Sequence, residues 1–294
     1  MPTRIYQQPL LQFETAGNAP RLFAAVLAIA LGTFGYNTAV DAGPFPVPNC
    51  KTDDDKIGFL IVGKCHSETI KRLSLDRANI SDLSRVAGLI NLESFTANST
   101  QVNDLSPLAG LTNLELISVY KTQVNDLSHL AKLRNLRVLA IQETQVRSLS
   151  PLSGLMNLQN FAANSTQISD LTPLAGLTKL ELLALPDTLV GNLSSLAGLE
   201  NLRILDIKNT KVTDLSPLAN LENLKILIIS GNQVSDLTPL SNMTKLDLLD
   251  LANTNVSDLS PLAGLTKIMF LRTPDGEMFS GKYAVQNAIK AWSP

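Results

Sequence analysis

Residues 114–135 read LELISVYKTQVNDLSHLAKLRN, and variants of this 22-residue phrase follow one another without insertion or deletion. The segments Asp104-Leu-Ser-Pro-Leu, Asp170-Leu-Thr-Pro-Leu, Asp214-Leu-Ser-Pro-Leu, Asp236-Leu-Thr-Pro-Leu and Asp258-Leu-Ser-Pro-Leu share one phase, with diverged copies at Asp82, Asp126, Ser148 and Asn192. A fixed period of this length builds a solenoid of stacked coils, in which each unit buries its apolar side only against its neighbours.

Within the quoted unit Leu114, Ile117 and Val119 alternate with Leu116, Ser118 and Tyr120, the period of a short half-buried strand. Leu127, Leu130 and Leu133 then return to the core, as do Leu105, Leu108 and Leu111 one unit earlier. Ser106, Thr172, Ser216, Thr238 and Ser260 each precede a proline, which predicts a hydroxyl N-cap followed by a brief 3₁₀ turn. The expected architecture is an α/β-type, right-handed coil. It has parallel strands on a concave face, 3₁₀ turns on the convex face, and about nine repeats over residues 70–272.

One further phase holds Thr100, Thr122, Thr144, Thr166, Thr188, Thr210, Asn232 and Thr254. Stacked about 4.8 Å apart, these side chains form an internal ladder, and the backbone of the neighbouring coil is the expected hydrogen-bond partner. The aspartates at 82, 104, 126, 170, 214, 236 and 258 stack likewise, so each carboxylate is expected to accept backbone N–H groups rather than face its like-charged neighbours. A Ca²⁺-binding aspartate ladder is the alternative, opposed by the supply of one carboxylate per coil.

The pattern Leu202-x-x-Leu205-x-Ile207-x-x-Thr210-x-Val212 resembles leucine-rich repeats, in the 22-residue class shared with bacterial internalins. The resemblance covers roughly residues 70–272, with threonine standing where the family carries a ladder asparagine. It implies the solenoid fold and a role in binding other molecules.

The 294 residues carry a formal charge of −2 and no run of Lys or Arg. That charge pattern argues against nucleic acid and against electrostatic docking on an anionic membrane. The first 42 residues lie outside the repeat. Arg21 precedes the apolar run Leu22–Leu31, and Val40-Asp-Ala42 offers the small residues of a cleavage site, so the segment reads as a signal peptide. The rival is a signal anchor over Leu22–Val40, 19 uncharged residues. The expected location is secreted or periplasmic, or the inner membrane if the segment is an anchor.

Residues 43–69 are assigned to an N-terminal cap. In an exported protein its Cys50 and Cys65 read as one disulfide contributing about 3 kcal/mol by the loop-entropy model; in a cytosolic one they are free thiols. The neighbouring Asp53-Asp-Asp55 reads as a solvated loop and not as a metal site. Residues 273–294 form the second cap, in which Val285, Ala288, Ile289 and Trp292 fall at helical spacing. A helix offered to a partner is the competing reading.

The concave face, about 45 Å long, is the natural contact surface. One outward row runs from Ser74 through Ala140, Ala162, Ala184, Asp206 and Ile228 to Asp250, and the next includes Asn98, Tyr120, Gln142, Asn164, Pro186 and Lys208. Candidate partner contacts are Tyr120, Lys121, Gln142, Glu143, Asn164, Asp206, Lys208, Ile228 and Asp250. Their shallow, weakly charged character suits a protein partner. No nucleophile–base pair, metalloprotease motif or phosphate-binding loop appears, and repeated Asp and Ser cannot form a unique active site. The sequence therefore reads as a monomeric, non-catalytic binding protein that uses no cofactor or metal. A structural envelope component and an effector delivered into host cells are the alternatives.

Overall fold

The structure is a computed structural model that describes residues 50–51, 57–67 and 69–293. The candidate signal segment and Asp53–Asp55 lie outside the described residues. Ten three-residue strands recur at the sequence period: β4 (Arg72–Ser74), β5 (Ser94–Thr96), β6 (Leu116–Ser118), β7 (Val138–Ala140), β8 (Asn160–Ala162), β9 (Leu182–Ala184), β10 (Ile204–Asp206), β11 (Ile226–Ile228), β12 (Leu248–Asp250) and β13 (Phe270–Arg272). They pair in parallel and in register, so Phe95, Ile117 and Leu139 stack directly on one another. An uninterrupted period makes this register compulsory, because each coil consumes the same length of chain.

Parallel neighbours need a crossover, and here it is a 3₁₀ turn such as Ser106–Leu108 rather than a full helix. The turns do not begin as the sequence pattern predicts. The serine hydroxyl caps nothing; the aspartate two residues ahead does. Asp104 Oδ1 accepts the Ser106 N–H at 2.8 Å, and the Ser106 hydroxyl donates to Asp104 Oδ2 at 2.7 Å. The N–H bond recurs at Asp126, Asp170, Asp214, Asp236 and Asp258, with Asn192 supplying its amide oxygen in one diverged coil. These bonds hold the carboxyls of Asp104 and Asp126 below the usual carboxylate range. The carboxylate wins because it offers two acceptor oxygens, one for each donor of the following serine.

The threonine ladder also differs from expectation. Thr122 Oγ1 donates at 2.7 Å to the Val119 carbonyl of its own coil, not to its neighbour, and Thr100, Thr144, Thr166, Thr188 and Thr254 do the same; Thr210 alone shares its hydroxyl between the Ile207 carbonyl and Asn232 Oδ1 of the next coil. A hydroxyl has one proton, and the carbonyl three residues back is the near acceptor. Asn232 has two N–H groups and does bridge. Its Nδ2 reaches the Ile207 carbonyl of the preceding coil at 2.7 Å and Ile229 of its own at 3.1 Å, while Oδ1 accepts the Thr210 N–H.

A second asparagine ladder, not anticipated from the sequence, ties coils together at the convex turns. Asn113, Asn135, Asn157, Asn201 and Asn223 each donate to a carbonyl 23 residues earlier. Beyond each strand the chain bends through a left-handed residue, at Arg77, Ser99, Lys121, Glu143, Ser165, Asp187, Asn209 and Asn253 with φ from 51° to 61°. Only Gly231 supplies glycine in this row, so no glycine signal marked the bend in the sequence.

Both ends are covered. On the N-terminal side β1 (Cys50–Lys51), β2 (Ile57–Ile61) and β3 (Lys64–Ser67) make an antiparallel sheet that buries Ile61 in the solenoid core. Arg85 Nη1 donates to the Leu60 carbonyl at 2.9 Å across that junction. On the C-terminal side the turn after Thr273 sends back β14 (Met278–Ser280), antiparallel to β13, which the sequence reading missed. Helix α1 (Lys282–Ala291) then lays Val285, Ala288 and Ile289 on the last coil, with Trp292 partly buried beside them. The Leu259 N–H donates to the Trp292 carbonyl at 3.2 Å.

Candidate functional site

On each strand the middle side chain enters the core and its two neighbours point to the concave side. This face has two unlike halves. From β4 to β7 it carries a polar network that ties neighbouring coils together, beside the apolar Leu116, Val138 and Ala140. Thr96 Oγ1 donates to Ser74 Oγ, the Ser118 hydroxyl donates to Asn98 Oδ1, and that same oxygen accepts the Tyr120 N–H. One coil earlier Asp76 Oδ1 accepts the Asn98 N–H. From β8 to β13 the face carries a second apolar cluster, separate from the core: Ala162, Leu182, Ala184, Ile204, Ile226 and Leu248, with Ile228 and Phe270 against it.

The candidate contact residues fall in both halves. Tyr120 is half-buried; desolvation and the hydrogen-bonded Glu143 carboxylate raise its phenol above its ordinary value. Lys121 and Glu143 are exposed and line a shallow depression of about 280 Å³ with Ser99, Thr100, Gln101, Thr122 and Gln123. Gln142, next to Glu143 in the chain, is 2% exposed and offers a partner almost no surface. Asp206, Lys208, Ile228 and Asp250 come together at the apolar half, each partly exposed. Asp250 pairs with Arg272 at 3.9 Å. Asp206 Oδ1 accepts the Lys208 N–H at 3.1 Å. Burial pushes the Asp206 carboxyl up to about 6, with Asp250 and Asp187 adding to the rise.

Asn164 stands at the join. Its Oδ1 is buried without a partner, and the reason is Pro186. At Asp76 and Asn98 the corresponding side chain accepts the N–H of the residue 22 positions on; 22 positions beyond Asn164 is a proline, which has none. Pro186 itself lies beyond β9 rather than inside a strand, and β8, β9 and β10 keep their register past it. The sequence showed the proline but not which acceptor it deprives.

Among the described residues no group of three His, Cys, Asp or Glu side chains could hold a metal ion. Among them, no helix is long and apolar enough to cross a membrane.

A parallel, in-register sheet closed by one short turn per 22 residues defines the leucine-rich repeat class. A family profile described as Leucine Rich repeats (2 copies) matches residues 222–267. The structure is similar to an internalin, InlF, of Listeria monocytogenes, at 26% identity and TM-score 0.61, over 72% of this chain and 76% of that one. It is also similar to internalin C2 of the same organism, at 28% identity and TM-score 0.52, over 72% and 85% of the two chains. A leucine-rich repeat protein of Leptospira interrogans shares the fold at 16% identity and TM-score 0.57, over 64% of this chain and 56% of that one. A comparison with curated protein sequences found no match. The chain thus carries leucine-rich repeats and is similar to these internalins.

Proposed function

We propose that this chain is an exported, monomeric and non-catalytic binding protein that holds a protein partner on its concave face. The observation that carries this reading is the apolar cluster along β8–β13, rimmed by Asp206, Lys208, Asp250 and Arg272. An apolar patch inside a polar rim is the anatomy of a protein interface, whereas sugar or phosphate recognition needs dense polar donors. Tyr120, Lys121, Gln142, Glu143 and Asn164 form the remainder of the proposed contact surface.

Export is supported by the Leu22–Leu31 run ahead of Val40-Asp-Ala42, and by a Cys50–Cys65 disulfide that we place in the N-terminal cap. In support of that bond, the two residues lie on β1 and β3 of one sheet, and no free cysteine occurs among the described residues. The caps are residues 43–69 and 273–294, bracketing the 70–272 solenoid.

The test uses the full chain as bait for extracellular proteins of its native source, compared with Ile228→Asp and Tyr120→Ala. A partner is expected whose affinity falls about 30-fold for at least one variant while the melting curve is kept. Equal recovery by all three would return the reading of a structural envelope component.

A further inference from the structure

The concave-face reading leaves open which half recognises the partner and by what chemistry. The first half has less to offer: Ser74, Thr96, Asn98 and Ser118 are already bonded to one another or to the next coil, and Asp76 gives one of its two oxygens to the Asn98 N–H. In the second half Asp206 occupies the centre of the apolar cluster, in register with Ala184 on one side and Ile228 on the other. The charged groups facing it are Lys208 of its own coil, Asp187 of the coil before and Asp250 two coils on. Asp187 already accepts from Asn209 Nδ2 at 2.9 Å, and Asp250 has Arg272. At the strand starts Arg203 pairs with Glu181 at 3.5 Å. Asp206 makes no ion pair among the described residues, and its Oδ2 accepts no hydrogen bond there. In the same half Ser230, 3% exposed, holds its hydroxyl without a partner.

We propose, resting on the concave-face reading, that the partner presents a segment of apolar side chains with one Arg or Lys among them, and that this cation docks on Asp206 over Ile228. An uncompensated carboxylate beside an apolar surface is costly, and covering it with more apolar surface deepens that cost unless a cation arrives with the cover. An acidic segment would add a third like charge to Asp206 and Asp250. A shared metal ion does not fit, because Asp250 stands two coils away, about 9.6 Å along the sheet, beyond the reach of joint coordination. The burial that raises the Asp206 carboxyl sets the pH sense of binding. The free protein takes up a proton at Asp206 as pH falls through about 6, so the cation must then displace it and affinity drops.

The experiment selects short peptides from a random displayed library on the full chain at neutral pH, then measures the winners against variants. Enrichment of peptides joining Leu, Ile, Phe or Trp to Arg or Lys is expected. Ile228→Asp should abolish their binding. Asp206→Asn should weaken it about tenfold and erase the loss of affinity seen between neutral pH and pH about 5. Enrichment of acidic or uncharged peptides, or an empty selection, overturns the inference. Binding lost in Ile228→Asp but untouched in Asp206→Asn also overturns it, while leaving the concave-face reading intact. Binding indifferent to Ile228→Asp and Tyr120→Ala alike removes both. If the chain sediments as a dimer that Ile228→Asp dissolves, a second copy fills this surface and the basic segment is excluded.

Discussion

The two halves of the concave face are built on one period and one backbone, yet they spend their outward side chains differently. In β4–β7 those side chains hold neighbouring coils together through Ser74, Thr96, Asn98 and Ser118. In β8–β13 the strand-end positions carry Ala162, Ala184, Asp206, Ile228 and Asp250, beside the strand-start residues Leu182, Ile204, Ile226 and Leu248, and Asp206 has no ion pair among the described residues. A repeat fold therefore sets where side chains stand and leaves free what they do there. The first half uses most of its hydrogen-bonding groups internally, Asp76 Oδ2 excepted, whereas the second retains apolar area and a carboxylate without an ion pair that a partner can satisfy.

The largest expected difference between the halves comes from placing a charge at equivalent strand starts. Ile226→Asp, at a position 6% exposed, should destabilise the chain by about 3 kcal/mol or more. Leu116→Asp, partly exposed in the first half, should cost about 1 kcal/mol. Urea unfolding midpoints decide it, and equal costs would break the comparison.

A smaller effect of opposite bias follows from the polar network. Asn98→Ala removes the acceptor of the Tyr120 N–H and of the Ser118 hydroxyl and should cost about 1–2 kcal/mol. Lys208→Ala, at the equivalent position of the second half, should stay within about 0.5 kcal/mol in the same unfolding assay.

The finest test falls at the join. Restoring an N–H with Pro186→Ala should give Asn164 Oδ1 its missing donor. Asn164→Ala is then expected to cost about 0.5–1 kcal/mol more in the Pro186→Ala chain than in the original. Additive effects in the double-mutant cycle would mean that the proline is not what strands this oxygen.

Much of this was legible in the residues, and what escaped did so for definable reasons. The Leu-x-x-Leu spacing and the turn phase located strands and turns because a core side chain must recur wherever the coil returns. The convex asparagines at 113, 135, 157, 201 and 223 recur just as regularly but were not read as a ladder, because the period shows their phase and not the carbonyl each one reaches. The strand β14 gave no comparable signal, since it appears once and pairs only after the Thr273 turn reverses the chain. Donor assignments were beyond reach as well. That Thr122 bonds within its coil while Asn232 bridges two depends on which carbonyl lies nearest, a distance no pattern states.

The sequence by itself determined the solenoid, its register and the two faces of its sheet, because an unbroken 22-residue period admits a single stacking. Tertiary structure alone decided which outward residues are closed and which are open. Gln142 and Asn164 sit one coil apart in the same row, yet the first is buried and the second stays partly exposed opposite Pro186. Asp206 has the same neighbours in any reading of the period, but its desolvation arises from apolar side chains 22 and 44 residues away closing around it. Burial is a property of the stacked surface, and no single coil contains it.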